Sequence, residues 1–277
     1  MTNISILVVG EIIWDVYEND KKYLGGAPLN FALNAQNVGG EIDFISAVGD
    51  DELGQEAKSI LSKKINTQFI QVNNHLTGRC DVTLKNTIPH YQIRDNCAFD
   101  YLVRPVVTKH YDALYFNTLI QRNNINNEVI EALLSNSYRE IFCDLNLRPN
   151  CYTKESVAKC LKHSSILKLS KEDEKELKTL DVIFNYQSIK DIMKNFSNIK
   201  IILLTNGDKG VDYIFSKDYC IHHLPARHVE KVVSTVGAGD SFSAAFLVSY
   251  LKDLPIEKCL ESAIELSAKI VSKIESY

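Results

Sequence analysis

Apolar residues along this chain gather in short runs, each closed by glycine or a polar cluster. Ile4 to Val9 is one such run, followed by Gly10 and Glu11, and Ile42 to Val48, Ala113 to Asn117, Glu140 to Asp144, Ile166 to Leu169 and Ile201 to Leu204 repeat the pattern. Runs without alternation suit strands buried on both faces, as in a parallel sheet. Helical segments are expected between them: after Pro28, from Gly49-Asp50-Asp51-Glu52 to about Lys64, over Asn127 to Leu134, after Ser170, over Asp240 to Leu251, and from Ile256 to about Ile274. Strands alternating with helices predict an α/β fold. The pattern changes between Gln68 and Ile93, where Cys80-Asp81-Val82-Thr83-Leu84 and His90-Tyr91-Gln92-Ile93 alternate apolar with polar. These are expected to be antiparallel strands with one wet face, a flap able to serve as a lid whose apolar face needs a partner.

With 277 residues, 45% of them hydrophobic and 24% charged, the chain can bury a sizeable core as one large domain. A net charge of −4 without a run of Lys or Arg excludes a general nucleic-acid or membrane-surface binder and points to a small-molecule substrate. The seven cysteines are scattered and contain no Cys-x-x-Cys pair, so neither a zinc site nor a disulfide framework is expected. The apolar run near the amino terminus is too short, and too poor in flanking cations, for a signal peptide or a membrane span, and a reducing cytoplasm is the expected location.

The stretch with the most chemistry is Ser234-Thr235-Val236-Gly237-Ala238-Gly239-Asp240-Ser241-Phe242. Gly237, Ala238 and Gly239 carry almost no side chain, so their amides can crowd around one anion with the positive end of a helix behind them. Asp240 sits at the mouth of that cradle, where a carboxylate can take a hydroxyl proton while charge develops on a transferring phosphoryl group. A tight turn with a capping Asp reads the same way in sequence.

Other candidates carry similar alternatives. Asp15, beyond the end of the first strand, can accept from two hydroxyls or be a solvated loop residue, and Asn30, in the first turn of a helix opened by Gly25-Gly26-Ala27-Pro28, can hold a polyol or cap the helix. Asp144, Asn146 and Arg148 alternate before Pro149, which in an extended segment turns them to one side, where a guanidinium can neutralise phosphate or bind an acidic sugar. Phe99, in Ala98-Phe99-Asp100-Tyr101, offers a stacking face for a sugar ring or a core side chain. The acidic run Asp50-Asp51-Glu52 suits a solvated helix start better than a metal site.

The Ser234 to Asp240 stretch resembles the carboxyl-terminal signature of ribokinase-like (phosphofructokinase-B) sugar kinases, Asp-Thr-x-Gly-Ala-Gly-Asp; six of seven positions fit and Ser234 replaces the leading Asp. Gly-Gly-Ala-Pro-x-Asn-x-Ala from Gly25 is similar to the amino-terminal signature of the fructokinase-like branch, and Asp-x-Asn-x-Arg-Pro from Asp144 to an element of fructokinase-like and ketodeoxygluconate-kinase-like members. Thr205-Asn206-Gly207-Asp208-Lys209-Gly210 resembles the family's nucleotide loop, although a hairpin turn would look much the same.

The resemblance implies a three-layer α/β/α sandwich, mostly parallel, as a single domain over residues 1–277, with a small antiparallel β-lid from about 11–24 and 68–101. It implies ATP-dependent phosphorylation of a sugar hydroxyl, with fructose the leading acceptor and a sugar-acid kinase or an idle sugar-binding regulator as alternatives. Asp240 would be the base, Gly237, Ala238 and Gly239 the anion cradle, and Asp15, Gly25, Gly26, Asn30, Phe99, Asn146 and Arg148 the sugar contacts. Ser170, Thr205, Gly207, Gly210 and Gly239 would face ATP. Asp173, in the place of an acidic residue that supports Mg2+ through water, would do the same weakly. A homodimer through the lid is expected. Ser234 removes the charge that helps hold potassium in potassium-activated members, so weak potassium dependence is expected.

Overall fold

The computed structural model describes residues 3–19, 21–85, 88–178, 186–273 and 276–277. Expectations at positions 20, 86, 87 and 274 lie outside these residues. The first strand shows why the sequence folds as it does. In β1 (Ile4–Val9), Ile4, Ile6 and Val8 enter one hydrophobic core and Leu7 and Val9 the other, so both faces are buried.

Its neighbours extend this into a nine-stranded sheet. After β1 come β2 (Ile13–Tyr17), β3 (Lys22–Gly25), β4 (Gly40–Gly49), β5 (Ile70–Asn73), β6 (Gly78–Lys85) and β7 (Ile88–Ile93). The later strands are β8 (Ala113–Asn117), β9 (Glu140–Asp144), β10 (Ile166–Ser170), β11 (Ile201–Thr205), β12 (Val211–Phe215) and β13 (Ile221–Leu224). The order is β13-β12-β11-β10-β9-β8-β1-β4-β5, parallel from β5 to β11 and antiparallel for β12 and β13.

Helices cover both faces. On one side α1 (Ala27–Asn37), α2 (Glu52–Leu61), α7 (Ala238–Leu251) and α8 (Ile256–Val271) share a core with the sheet; α3 (Ile125–Leu134), α4 (Lys154–His163), α5 (Lys171–Lys178) and α6 (Tyr186–Asn195) share the opposite one. This is the expected three-layer sandwich. α7 is buried from Ser241 through Val248 because it is apolar on all sides and packs between α1, α8 and the sheet. Removing one of its large side chains, as in Phe246→Ala, costs roughly 3–5 kcal/mol. That burial fixes the orientation of its first turn.

A second sheet has the order β3-β2-β6-β7. Its outer pairs are antiparallel, whereas β2 and β6 run parallel, with Asp15 opposite Cys80. β5 falls inside the expected lid range but pairs with β4 at the edge of the large sheet, so the lid's strands occupy 13–25 and 78–93. Three elements escape the sequence pattern: α4, α6 and β13. α4 is strongly polar and is set by a capping box, in which Thr153 Oγ1 accepts from Ser156 N and Ser156 Oγ accepts from Thr153 N.

Candidate active site

The parallel strands deliver their carboxyl ends to one rim, where open α/β sheets place their ligands. Glu11 follows β1, Asn117 ends β8, Asp144 ends β9, and Lys168 and Ser170 close β10. α7 starts at the same rim. Its N-cap, Gly237, has φ 78°, and a Cβ there would lie 2.4 Å from Ser276 Cβ, so only glycine fits this turn. Ala238 N donates to Thr235 O at 3.3 Å and closes the turn, while the helix geometry leaves the amides of Gly239 and Asp240 without intrahelical acceptors. The cradle therefore begins at Gly239, two residues later than the sequence suggested.

Asp240 is half-buried, and its Oδ2 accepts from Asn30 Nδ2 at 2.8 Å. Burial pushes the Asp240 carboxyl up, while Lys168, the Asn30 hydrogen bond and Arg148 pull it back down. Asn30 does not cap α1: the N-cap is Gly26, with no side-chain bond, and the Asn30 amide is spent on Asp240 and Ser276. Gly26, at φ 112°, would put a Cβ 2.6 Å from Glu11 O, which lets α1 open against the end of β1. Gly25 ends β3 and faces the Asn30 amide, 3.7 Å from where its own Cβ would lie.

Asp15 lies on the lid strand β2, and burial raises its carboxyl to about 6 against the pull of Arg148 and Cys80. Arg148 is exposed, and its positive charge acts on Glu11, Asp15 and Asp240 together. Its guanidinium makes no ion pair or hydrogen bond among the described residues, while its carbonyl accepts from Cys151 N at 2.9 Å. The alternation proposed for Asp144, Asn146 and Arg148 does not hold. The strand stops at Asp144, and Asn146 turns left-handed at φ 42°, a conformation its short amide tolerates. Asn146 is half-buried beside the rim, and Asp144 is fully buried.

Phe99 is a correction. Its ring has no exposed surface, sits in the core under the Arg122 guanidinium at 4.7 Å, and cannot stack on a ligand. Asp173 is also committed to protein. Leu147 N donates to Oδ1 at 2.6 Å, while Ser170 N and Ser170 Oγ donate to Oδ2 at 2.6 and 2.9 Å, which ties the β9 loop to α5. Thr205 ends β11 and donates from Oγ1 to Leu169 O at 3.4 Å, and Gly207 and Gly210 form the hairpin into β12. A Cβ on Gly207 would meet nothing within 4 Å, leaving that backbone open to approach.

Two charged groups at the centre carry no sequence signal. Lys168 is buried in the middle of an apolar strand, and its Nζ donates to Asp144 at 2.9 and 3.1 Å. Burial alone would lower its pKa, but Asp144, Asp173 and Asp240 together raise it and hold the ammonium charged. A Cβ on Gly239 would lie 3.1 Å from Nζ, so the cation sits directly under the cradle. Burial raises Asp144 to about 6 despite Lys168. Glu11 is buried and raised to about 7, with Asn117 Nδ2 donating to its oxygens at 3.2 and 3.0 Å. Among the described residues no cluster of acidic, His or Cys side chains could hold a metal ion, all seven cysteines are free, and no helix is long and apolar enough to cross a membrane.

This rim, with a buried carboxylate at a glycine-led helix start, is the candidate active site. The model of the pfkB family carbohydrate kinases matches residues 3–277, and the chain belongs to that family. It is 26% identical over 304 residues to a 5-dehydro-2-deoxygluconokinase of Bacillus thuringiensis, covering 98% of this chain and 90% of that one. Among solved structures it resembles an uncharacterized sugar kinase from Pyrococcus horikoshii in complex with ATP, with TM-score 0.82, 24% identity, and 98% and 93% of the two chains covered. It also resembles a fructokinase from Vibrio cholerae with fructose, ADP and calcium bound, with TM-score 0.83, 18% identity, and 99% and 94% covered.

Proposed function

We propose that the protein transfers the γ-phosphoryl group of ATP to a sugar hydroxyl, with Asp240 as general base and fructose as the leading acceptor. The observation that carries this is the Asn30–Asp240 hydrogen bond at the start of α7, which places a candidate sugar ligand on the candidate base. The sugar oxygen forms a bond to phosphorus as the bond to the ADP oxygen breaks, and the hydroxyl proton passes to the Asp240 carboxylate. Charge on the equatorial phosphoryl oxygens falls on the free amides of the first turn of α7, with the Lys168 ammonium beneath them. Asp15, Gly25, Gly26 and Asn30 hold the sugar; Ser170, Thr205, Gly207 and Gly210 border the nucleotide.

Mg2+ bound to nucleotide phosphates keeps most of its waters and neutralises their charge, so it needs no protein cage. The absence of an acidic cluster among the described residues fits that mode, and Asp173, already holding two segments, is at most an outer support. A cytoplasmic location agrees with the free cysteines.

Arg148 favours a second acceptor class. A guanidinium without a partner among the described residues, whose charge acts on both Asp15 and Asp240, suits a carboxylate on the substrate, as in a sugar acid. The test is a coupled assay of ADP release over neutral ketoses and sugar acids with wild type and Arg148→Ala. A fructokinase turns over fructose and loses little specificity for it in the variant, whereas a sugar-acid kinase prefers the acid and loses that preference. No ADP release with any sugar would leave only the regulator and overturn the reaction.

A further inference from the structure

We propose that Ser276 is a positioning residue for phosphoryl transfer: its hydroxyl, by donating to the Asn30 amide oxygen, holds that amide with its NH2 end on Asp240, and its main chain seats the glycine turn. This rests on the reading of Asp240 as the base. An Asn side chain presents a donor at one end and an acceptor at the other, with nearly the same shape. Facing Asp240, the donor end stabilises the carboxylate and the acceptor end repels it, so the pair itself selects the NH2 end and leaves the amide oxygen in need of a donor that fixes the amide in place. Ser276 Oγ donates to Asn30 Oδ1 at 2.9 Å, and the opposite end of the amide is then left to donate to Asp240 Oδ2 at 2.8 Å.

Ser276 is itself held in place. Asn34 Nδ2 donates to Asn30 O at 2.8 Å and to Ser276 O at 2.9 Å, which ties the Ser276 backbone to α1. The left-handed Gly237 presses on the same residue, with 2.4 Å between its would-be Cβ and Ser276 Cβ and 2.7 Å to Ser276 O. One buried residue therefore touches the partner of the base and the turn that opens the anion cradle. The other charged or titratable groups acting around Asp240 are Lys168 from β10, Arg148 and Asp144 from β9 and its loop, Glu11 after β1 and Tyr115 on β8. Ser276→Ala leaves all of them in place and removes only the relay.

The experiment is a carbon-13 NMR titration of the Asp240 carboxyl in substrate-free protein, its resonance assigned by comparison with Asp240→Asn, together with kcat against pH. In Ser276→Ala the Asp240 midpoint is expected to rise by about 0.5–1 pH unit, what a hydrogen bond of about 1 kcal/mol supplies. The acid limb of kcat follows it, and kcat on that limb falls about three- to tenfold. Ser276→Cys, nearly isosteric and a weak donor, falls between the two and serves if the Ala variant does not fold. In an Asn30→Ala background Ser276→Ala has no further effect, because the relay is already cut. An unchanged midpoint in both Ser276 variants, or the same shift with Asn30 absent, overturns the relay. Because the titration needs no substrate, inactivity of the wild type toward every sugar would overturn the kinase reading separately, while the midpoint still decides the hydrogen-bond chain.

Discussion

Asn30 Nδ2 donates to Asp240 Oδ2 across 2.8 Å and joins side chains 210 residues apart in the chain. Each comes from the first turn of its own helix, and α1 and α7 pack on each other, so the bond is set by the helix–helix interface and not by loops. A carboxylate held this way costs little reorganisation when substrate arrives.

The role of Asp240 is tested by Asp240→Asn. The near-isosteric change keeps the fold and sugar binding, and turnover falls at least about a hundredfold, the lower range for losing a general base. Calorimetric sugar binding with steady-state rates checks it; near-wild-type turnover would remove the assignment.

Glu11 gives a stability prediction with a definite sign. Its folded-state carboxyl is raised from 4.5 to about 7, chiefly by burial. A raised carboxyl contributes stability that is fully present below pH 4.5 and is lost as pH climbs through 7. Glu11→Gln removes that titration, so the variant gains on wild type as pH rises, by on the order of 3 kcal/mol above pH 8, and the gain vanishes near pH 4.5. Urea unfolding of both proteins across this range reads the difference directly.

Lys168 and Asp144 form a buried pair, so removing one partner leaves the other uncompensated. Lys168→Met is expected to destabilise by about 3–5 kcal/mol, and Lys168→Met with Asp144→Leu to recover most of that. Turnover does not recover in the double variant, because the cation under Gly239 is still missing. Thermal melts paired with rates separate the two effects.

Ser234 bears on potassium. Its Oγ accepts from Val236 N at 3.2 Å and its amide donates to Val271 O at 3.3 Å, so the residue is engaged locally and carries no charge for a cation. Wild type should show little activation by potassium over a bulky organic cation at equal ionic strength, and Ser234→Asp should acquire it. Strong activation of the wild type would refute this.

The lid leaves Tyr23 and Tyr91 exposed at 42% and 50% on its outer strands, β3 and β7. We expect a second copy to cover that sheet and a homodimer at micromolar concentration in sedimentation. Tyr91→Glu should shift the protein toward monomer; a wild type that sediments only as monomer would rule the dimer out.

The strands of the parallel sheet other than β5, the helices at Ala27, Glu52, Ala238 and Ile256, and the glycine-led turn before Asp240 are legible in the sequence, because local periodicity and turn chemistry encode them, whereas only its pairing with β4 separates β5 from the second sheet. α4 and α6 carry little such signal: α4 announces itself only by a capping box, and α6 packs few residues, among them Ile189 and Met193, against the core. At the site, the sequence reached Asp15, Asn30, Arg148 and Asp240 because each sits in a recognisable local pattern. Lys168, Glu11 and Ser276 were out of its reach. Their roles depend on Asp144, Asn117 and Asn30, at 24, 106 and 246 residues' distance, and no spacing along the chain records which side chains the packed layers will bring within hydrogen-bond range. The same holds for Phe99, whose aromatic pattern is compatible with stacking on sugar in the sequence but whose ring is fully buried, with the Arg122 guanidinium over it. Local chain chemistry determined the elements and marked Asp240 as the candidate base; tertiary packing decided which charges are buried together, and hence how tightly that carboxyl holds its proton.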